Sequence, residues 1–412
     1  MNNPPLNLHS LGTLKHYQVR RAQSSMNEVR TQNQQAVIEA ILHAGQTSRK
    51  DLCRTTGLSA STVGLIVNQL IEKGILMESG AGSSDRGRKP IAIGINAGAG
   101  TVLAVDVNDM SIGLFDLHLK PIDINSAYQP EKRPSPQDVV QLIKTEVETM
   151  TKTAPPPLVI GVSVPGEVDP TSGIVLNSTN LEWTDVSLGM MIARETGIPT
   201  VVESNMVCLS LTEAWNGVAG GVDDFAFIHV GWRGVGAGLV LNGDVYRGAN
   251  LRAAEIGHLQ VEPDGPLCRC GKRGCLEAIA SGRNTTRRAF TGSAGAADGS
   301  EGEVDLTMWK KLLLAAERGE EKALAALNRT ASALGRAAAS LAVAVDPSML
   351  VFGGRVMEAQ KYIMPQVEQV VKEMCLPATA AHIQIKVATD AAEKSMTGAA
   401  RIALRSYLFN IA

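Results

Sequence analysis

Apolar positions first recur at helical spacing at Val37, Ile38, Ile41 and Leu42, a run that Gly45 closes. Ser48 followed by Asp51 is a capping-box pattern, and it predicts a short helix over Arg49–Thr56 that Gly57 stops. Ser59 then caps a third helix, with an inner face of Val63, Ile66 or Val67, Leu70 and Ile71 and an end at Gly74. A helix, a short helix, a tight turn and a longer helix read as a helix-turn-helix. Ser59 at the cap and Ser61, Thr62 and Asn68 on the outward face are small polar groups suited to base edges and phosphates, and Gly64 keeps that face open. An ordinary three-helix bundle has the same pattern, so the next segment matters.

After Gly74 a short apolar run (ILMES) and a second one (IAIGIN) flank the segment GAGSSDRGRKP. This predicts a hairpin with a basic tip, or wing. Arg86, Arg88 and Lys89 stand beside Gly87 and Pro90, and extended Arg-Gly-Arg segments fit a narrow minor groove. Residues 1–30 read as a polar, weakly ordered arm with a basic cluster from Lys15 to Arg21, and residues 31–97 as the winged helix-turn-helix.

From Thr101 the period changes to two. TVLAVDV and SIGLFDLHL predict an antiparallel strand pair, followed by a helix over Pro136–Thr151 and a buried strand in LVIGVSVPG. Thr200–Glu203 reads as a short strand with a helix after it through Trp215. FAFIHVG and GAGLVLNG predict a second hairpin, and a long alanine-rich helix near Lys322–Val345 precedes the strand MLVFGG. The alternation predicts an α/β chain with mixed sheets. The two similar hairpin openings suggest a duplicated lobe with a ligand cleft between: a first lobe over 98–220 with the C-terminal helix 395–412, and a second over 221–394. Residues 291–304, small and polar, read as a loop or insertion.

Charge and cysteine count sharpen the picture. The chain carries 39 Lys and Arg against 41 Asp and Glu. Eleven of those cations but only six of the acids fall in the first 90 residues. A basic front on an acidic body suits an anionic partner for the front, although solvated surface charge alone gives the same imbalance. No run of about 18 apolar residues and no apolar leader occurs, so neither membrane insertion nor export is expected. Six cysteines without a paired framework point to a reducing, cytoplasmic setting.

Cys268, Cys270 and Cys275 crowd into CRCGKRGC, ten residues after His258. Thiolates and imidazole suit tetrahedral Zn²⁺, and Cys₃His is a closed structural set with no open position for chemistry. The expected cofactor is therefore a structural zinc held by His258, Cys268, Cys270 and Cys275. Reduced core cysteines that happen to cluster are the plain alternative.

With these motifs the chain resembles the ROK family of repressors, uncharacterised frames and sugar kinases. The resemblance rests on AAEIGHL and CRCGKRGCLE, supported by GVSVPGEVD, NLEW, GVGAGLVLNG and DPSMLVFGG, and spans nearly the whole length. It implies an actin-like, ribonuclease H-like, two-lobed sugar-binding domain. A winged helix in front is similar to the N-acetylglucosamine- and xylose-responsive repressors. The partners so implied are a double-stranded DNA operator, a sugar or sugar-phosphate effector, and a second copy of the chain in a homodimer or tetramer. In one branch a protein partner relieves repression instead.

Carried over by motif, Asn180, Asn205, Gly236, Glu255, His258 and Glu277 would face the sugar. The kinase signatures, by contrast, are altered. The family's kinases open with an Asp-x-Gly-Gly-Thr turn, where this chain has Asp106-Val107-Asn108-Asp109-Met110. Their base lies in a Glu-Asn-Asp-Ala-Asn motif, where this chain has Glu203-Ser204-Asn205-Met206-Val207, putting the amide of Asn205 at the catalytic Asp. An amide has no useful basicity. Trp232 and Arg233 interrupt the second phosphate loop. The expectation is a non-enzymatic regulator of sugar uptake or catabolism genes that has no use for ATP. The alternative is an ATP-dependent sugar kinase with a regulatory DNA-binding head.

Overall fold

The computed structural model describes residues 26–79, 91–126, 133–152, 154–291, 304–389 and 394–411. They divide into two compact units, residues 1–208 with 393–412 and residues 209–392.

The first unit opens with α1 (Met26–Ala44), β1 (Gln46–Thr47), α2 (Arg49–Thr56), α3 (Ala60–Glu72), β2 (Leu76–Ser79) and β3 (Ala92–Ile95). The caps are those the sequence predicts. The Ser48 hydroxyl oxygen accepts from the Asp51 N–H at 3.1 Å and that of Ser59 accepts from the Thr62 N–H at 3.2 Å. Gly57 closes α2 at a φ of 68°. Ile38, Ile41, Leu52, Val63, Val67 and Leu70 are buried, and the strands pair in the order β1-β3-β2. One expectation is corrected. α1 begins at Met26, inside the segment read as a weakly ordered arm, because residues 26–32 carry no Gly or Pro to break a helix even though they lack an apolar stripe. The wing residues Arg86, Arg88 and Lys89, and residues 292–303 of the expected insertion, lie outside the described residues.

Next come β4 (Thr101–Asp106), β5 (Ser111–Asp116), β6 (Pro121–Ser126), α4 (Pro136–Met150), β7 (Pro157–Val164), β8 (Glu167–Asp169), β9 (Ile174–Ser178), β10 (Trp183–Val186), α5 (Leu188–Thr196), β11 (Thr200–Ser204) and α6 (Asn205–Asn216). The main sheet runs β11-β7-β4-β5-β6. β4, β5 and β6 are antiparallel neighbours, whereas β4, β7 and β11 are parallel. Strands covered on both faces read as unbroken apolar runs, and β4 is buried throughout. A small antiparallel sheet, β10-β9-β8, is an addition that the hydrophobic pattern does not announce.

The second unit holds β12 (Phe225–Val230), β13 (Val235–Leu241), β14 (Asp244–Tyr246), α7 (Leu276–Ala280), α8 (Gly282–Thr291), α9 (Leu306–Glu317), α10 (Glu321–Val345), β15 (Met349–Gly353), α11 (Gln360–Met374), α12 (Pro377–His382) and β16 (Gln384–Val387). Its sheet, β14-β13-β12-β15-β16, repeats the first plan strand for strand: three antiparallel neighbours, then two parallel ones. The alanines of α10 let α11 approach closely, and a Cβ at Gly335 would stand 2.6 Å from Val370. The chain then returns to the first unit as α13 (Lys394–Ile411), which packs on β4, β7 and β11. Gly161 of β7 has no room for a side chain there, because the Ala399 carbonyl oxygen lies 2.3 Å from its Cβ position.

Candidate functional site

The sulfurs of Cys268, Cys270 and Cys275 and the imidazole of His258 lie within 4.8 Å of one another. Two tight turns bring them together. The Cys268 N–H bonds to the Lys272 carbonyl at 2.7 Å, and Gly271 and Gly274 take φ values of 85° and 69°. Cys268 Sγ is 3.7 Å from His258 Nδ1, and Cys270 Sγ is 3.6 Å from Cys275 Sγ. Tetrahedral zinc with bonds near 2.3 Å to sulfur and 2.0 Å to nitrogen needs ligand separations of about 3.5–3.8 Å. The donor set and its spacing therefore fit that ion. The crowded thiols push one another apart in acidity: burial drives Cys268 up to about 12 and raises Cys275, whereas at Cys270 a backbone N–H and the neighbouring thiols outweigh burial and lower it.

Three of the expected sugar residues gather beside this loop. Glu277, on α7, accepts from the Val235 N–H at 3.2 Å, which places its carboxylate at the start of β13 next to Gly236. Burial raises the Glu277 carboxyl, while that N–H and the charges of His258 and Arg269 pull it down. Gly257 packs so closely on β13 that a Cβ would stand 2.0 Å from the Val235 carbonyl oxygen. The turn carrying His258 is thereby pressed against the strand that carries Gly236. His258 turns Nδ1 toward the thiols, which directs Nε2 away from them. Glu255 is exposed, one residue before the turn Ile256–His258. Gly236 is a strand residue paired with His229, within the hairpin that the sequence predicts.

Asn180 and Asn205 belong to the first unit, both half-buried: Asn180 in the turn before β10, Asn205 as the first residue of α6. Asp106 ends β4. Its carboxylate accepts from the Asn108 N–H at 2.8 Å and from the Ser395 hydroxyl, and burial with the nearby Asp109 charge raises it to about 6. Between β12 and β13, Trp232 lies against Gly282 at the start of α8. The Gly282 and Arg283 N–H groups donate to the Gly231 and Trp232 carbonyls at 3.0 and 2.9 Å. Helix-start amides that would attract phosphate are thus engaged within the chain.

On the head, Ser59 and Ser61 are exposed and Thr62 half-buried, and the Ser59 hydroxyl sits 2.8 Å from Ser61 Oγ and 2.9 Å from Thr62 Oγ1. Asn68 is exposed, but its side-chain oxygen accepts from Arg49 at 2.8 Å, and Arg49 also pairs with Glu78. Two features escaped the sequence reading. Leu65 of α3, named on neither face in the sequence reading, is 57% exposed. Glu262, at the edge of the cysteine loop, is clamped by Arg329 at 2.7 Å and Arg336 at 3.2 Å from α10. Partners 67 and 74 positions apart leave no local signal.

Comparison with known proteins agrees with this plan. The ROK family profile matches residues 103–406. The chain belongs to the ROK family. A winged helix-turn-helix DNA-binding profile matches residues 30–77, so the expected fold, a winged helix ahead of an actin-like ROK domain, is borne out. The Escherichia coli K12 protein named DNA-binding transcriptional dual regulator NagC is 27% identical over 390 residues, covering 93% of this chain and 95% of that protein. A glucokinase of Halalkalibacterium halodurans is 33% identical over 238 residues, 56% of this chain and 71% of the enzyme. The crystal structure of a ROK family transcriptional regulator, described as a homologue of the E. coli MLC protein, superposes with a TM-score of 0.78 at 25% identity, covering 93% of this chain and 98% of that one. Among the described residues no helix is long and apolar enough to cross a membrane.

Proposed function

We propose that the chain is a DNA-binding transcriptional repressor of sugar uptake or catabolism genes, answering to a sugar or sugar phosphate. The observation that carries this reading is the joining, in one chain, of a capped helix-turn-helix to a ROK domain that keeps the cysteine loop beside His258 and Glu277. The likeness to NagC and to the MLC homologue over more than nine-tenths of the chain supports it. Zinc would be held by His258, Cys268, Cys270 and Cys275 and would fix the loop. Glu255, His258 Nε2 and Glu277 would then meet sugar hydroxyls, and each buried hydrogen bond discriminates against an analogue that lacks the group. The Asn180 and Asn205 amides are further candidates from the first unit. A dimer would let two winged helices read half-sites about 34–36 Å apart.

The effector acts by binding the DNA-free and DNA-competent states unequally. Phosphoryl transfer is not part of this reading. Asn205 offers no base, and the helix-start amides at Gly282 and Arg283 are engaged by Gly231 and Trp232. The test is a thermal-shift screen against N-acetylhexosamines, their 6-phosphates, glucose and xylose, followed by release of bound DNA by whichever compound raises the midpoint. A compound that stabilises the protein and leaves DNA affinity untouched contradicts the regulatory role.

A further inference from the structure

The DNA-binding head is fastened to the rest of the first unit by charge. Glu39 of α1 pairs with Arg405 of α13, and the Arg405 and Glu39 side chains are only 9% and 24% exposed. Arg401 lies one turn earlier on the same side of α13, half-buried, close enough to feel the Glu39 charge. The Arg405 guanidinium also lies over the Phe409 ring, 5.1 Å from its centre. A guanidinium on a largely buried carboxylate makes a geometrically demanding contact, because desolvating two charges is unfavourable unless they meet. An apolar contact between the same helices would tolerate sliding; this one fixes the register of α1 along α13.

The other end of α13 is fixed just as closely. The Ser395 hydroxyl lies 2.5 Å from Ser163 Oγ at the end of β7 and bonds Asp106 at the end of β4. The tight approach of Ala399 to Gly161 anchors the helix between these points. Ten residues separate Ser395 from Arg405, about 15 Å of helix. A single rigid element therefore spans from the strand ends of the first sheet to the helix that carries the DNA-reading motif.

We infer that Glu39, paired with Arg405, is a positioning residue for DNA binding: the contact sets the orientation of α1, and with it α3, relative to the sheet beneath α13. This rests on the DNA-binding reading above. Neither side chain needs to touch DNA. Removing the ion pair leaves the winged helix folded on its own buried core but free to pivot, so the protein must order the head when it binds.

The experiment compares Glu39→Gln, Arg405→Gln, the double variant and Arg405→Lys with the wild type, using the duplex that the wild type enriches from a random-sequence library. Each Gln variant should bind that duplex about tenfold more weakly, within the usual range for coupling between sites. The double variant should be no worse than either single one, because the residues act as a pair. Arg405→Lys, which keeps the charge and loses the fork, should fall between. The salt dependence of binding should keep its slope, since every cation that meets a phosphate is still in place. Hydrogen exchange should show the α1 amides about tenfold less protected, with β4 and β7 unchanged. Unchanged affinity, a flattened salt slope, or protection reduced equally in β4 and β7 would each overturn the inference. A wild type that enriches no duplex defeats the DNA-binding reading instead, and the exchange measurement still decides whether the ion pair orders the head.

Discussion

Glu262 and Gly274 touch so closely that position 274 admits no side chain: a Cβ there would stand 1.5 Å from the Glu262 carbonyl oxygen. The Gly274 carbonyl in turn accepts from the Val261 N–H at 2.9 Å. The turn that aims Cys275 is thus pinned to Val261 and Glu262 by the chain's own contacts. One equivalent of zinc per chain is expected by elemental analysis. Cys270→Ser should lose it, and Gly274→Ala should lose it without altering a ligand, because the turn cannot form with a methyl group in place. Metal retained in Gly274→Ala would show that the loop closes some other way.

Glu262→Gln separates the clamp from the ion. Burial alone would raise the Glu262 carboxyl, but the Arg329 hydrogen bond and the charges of Arg329, Arg336 and Arg288 more than offset it and hold it low. Its folded-state pKa is depressed, so its contribution to stability is present above the ordinary carboxylate range and is lost as pH falls through the folded value. The arginines remain about a third exposed. The substitution should therefore cost only about 1 kcal/mol. Zinc content should be unchanged while sugar affinity falls, measured by calorimetry with whichever sugar the thermal screen identifies. Loss of metal together with affinity would mean that the clamp serves the ion and not the sugar face.

Asp106 gives the opposite sign. Burial and Asp109 raise it from 3.8 to about 6, so the folded protein holds a proton that the unfolded chain releases. Stability from this group is full below pH 3.8 and declines as pH rises to about 6, where the loss is complete. The shift corresponds to about 3 kcal/mol at most. Asp106→Asn can still accept from the Asn108 N–H and from Ser395. It should flatten the pH 4–6 decline and raise the midpoint at pH 7 in thermal melts. A variant less stable than wild type at pH 7 would mean that the charge itself is needed.

Local order in this protein is legible because its signals are local. Ser48, Gly57 and Ser59 bound their helices as caps do, and apolar runs mark β4, β5, β12 and β13. The cysteine loop is equally plain, since its four ligands fall within 18 positions. What joins distant segments is not. Nothing near Glu39 points to Arg405, and nothing near Asp106 points to Ser395; such pairs arise only once sheets have stacked their helices. Leu65 goes unremarked for a related reason. Left off the inner face of α3, it is turned outward by helical geometry beside Ser61 and Asn68, where a leucine can meet a thymine methyl.

The wing carries a separate prediction. Arg86 and Arg88 are expected to reach DNA as cations on a glycine-flanked tip. Alanine at both should weaken binding to every duplex, matched or not, and reduce the log–log salt slope by roughly one for each phosphate no longer neutralised. This is the reverse of the result expected at Glu39, where affinity falls and the slope holds. Fluorescence anisotropy from low to moderate salt distinguishes them. An unchanged slope in the double alanine variant would take the wing off the DNA.

Asn205→Asp tests how far the fold has moved from catalysis. The substitution puts a carboxylate at the start of α6, where the motif resemblance leads one to expect the kinases' base. A base alone does not transfer phosphate, because the γ-phosphoryl group must also be held and its charge met. Here the turn after β4 is Val107-Asn108-Asp109-Met110, with an acid that repels phosphate. At the second loop Trp232 covers the start of α8, whose first amides are already bonded. The variant should therefore remain inactive with ATP-Mg²⁺ and hexoses in a coupled ADP assay, while still binding the effector sugar and DNA. Turnover at enzyme-like rates in the wild type would make the chain a kinase with a DNA-binding head. Turnover in Asn205→Asp alone would place the loss of catalysis in that one amide and show that the altered loops still accept phosphate.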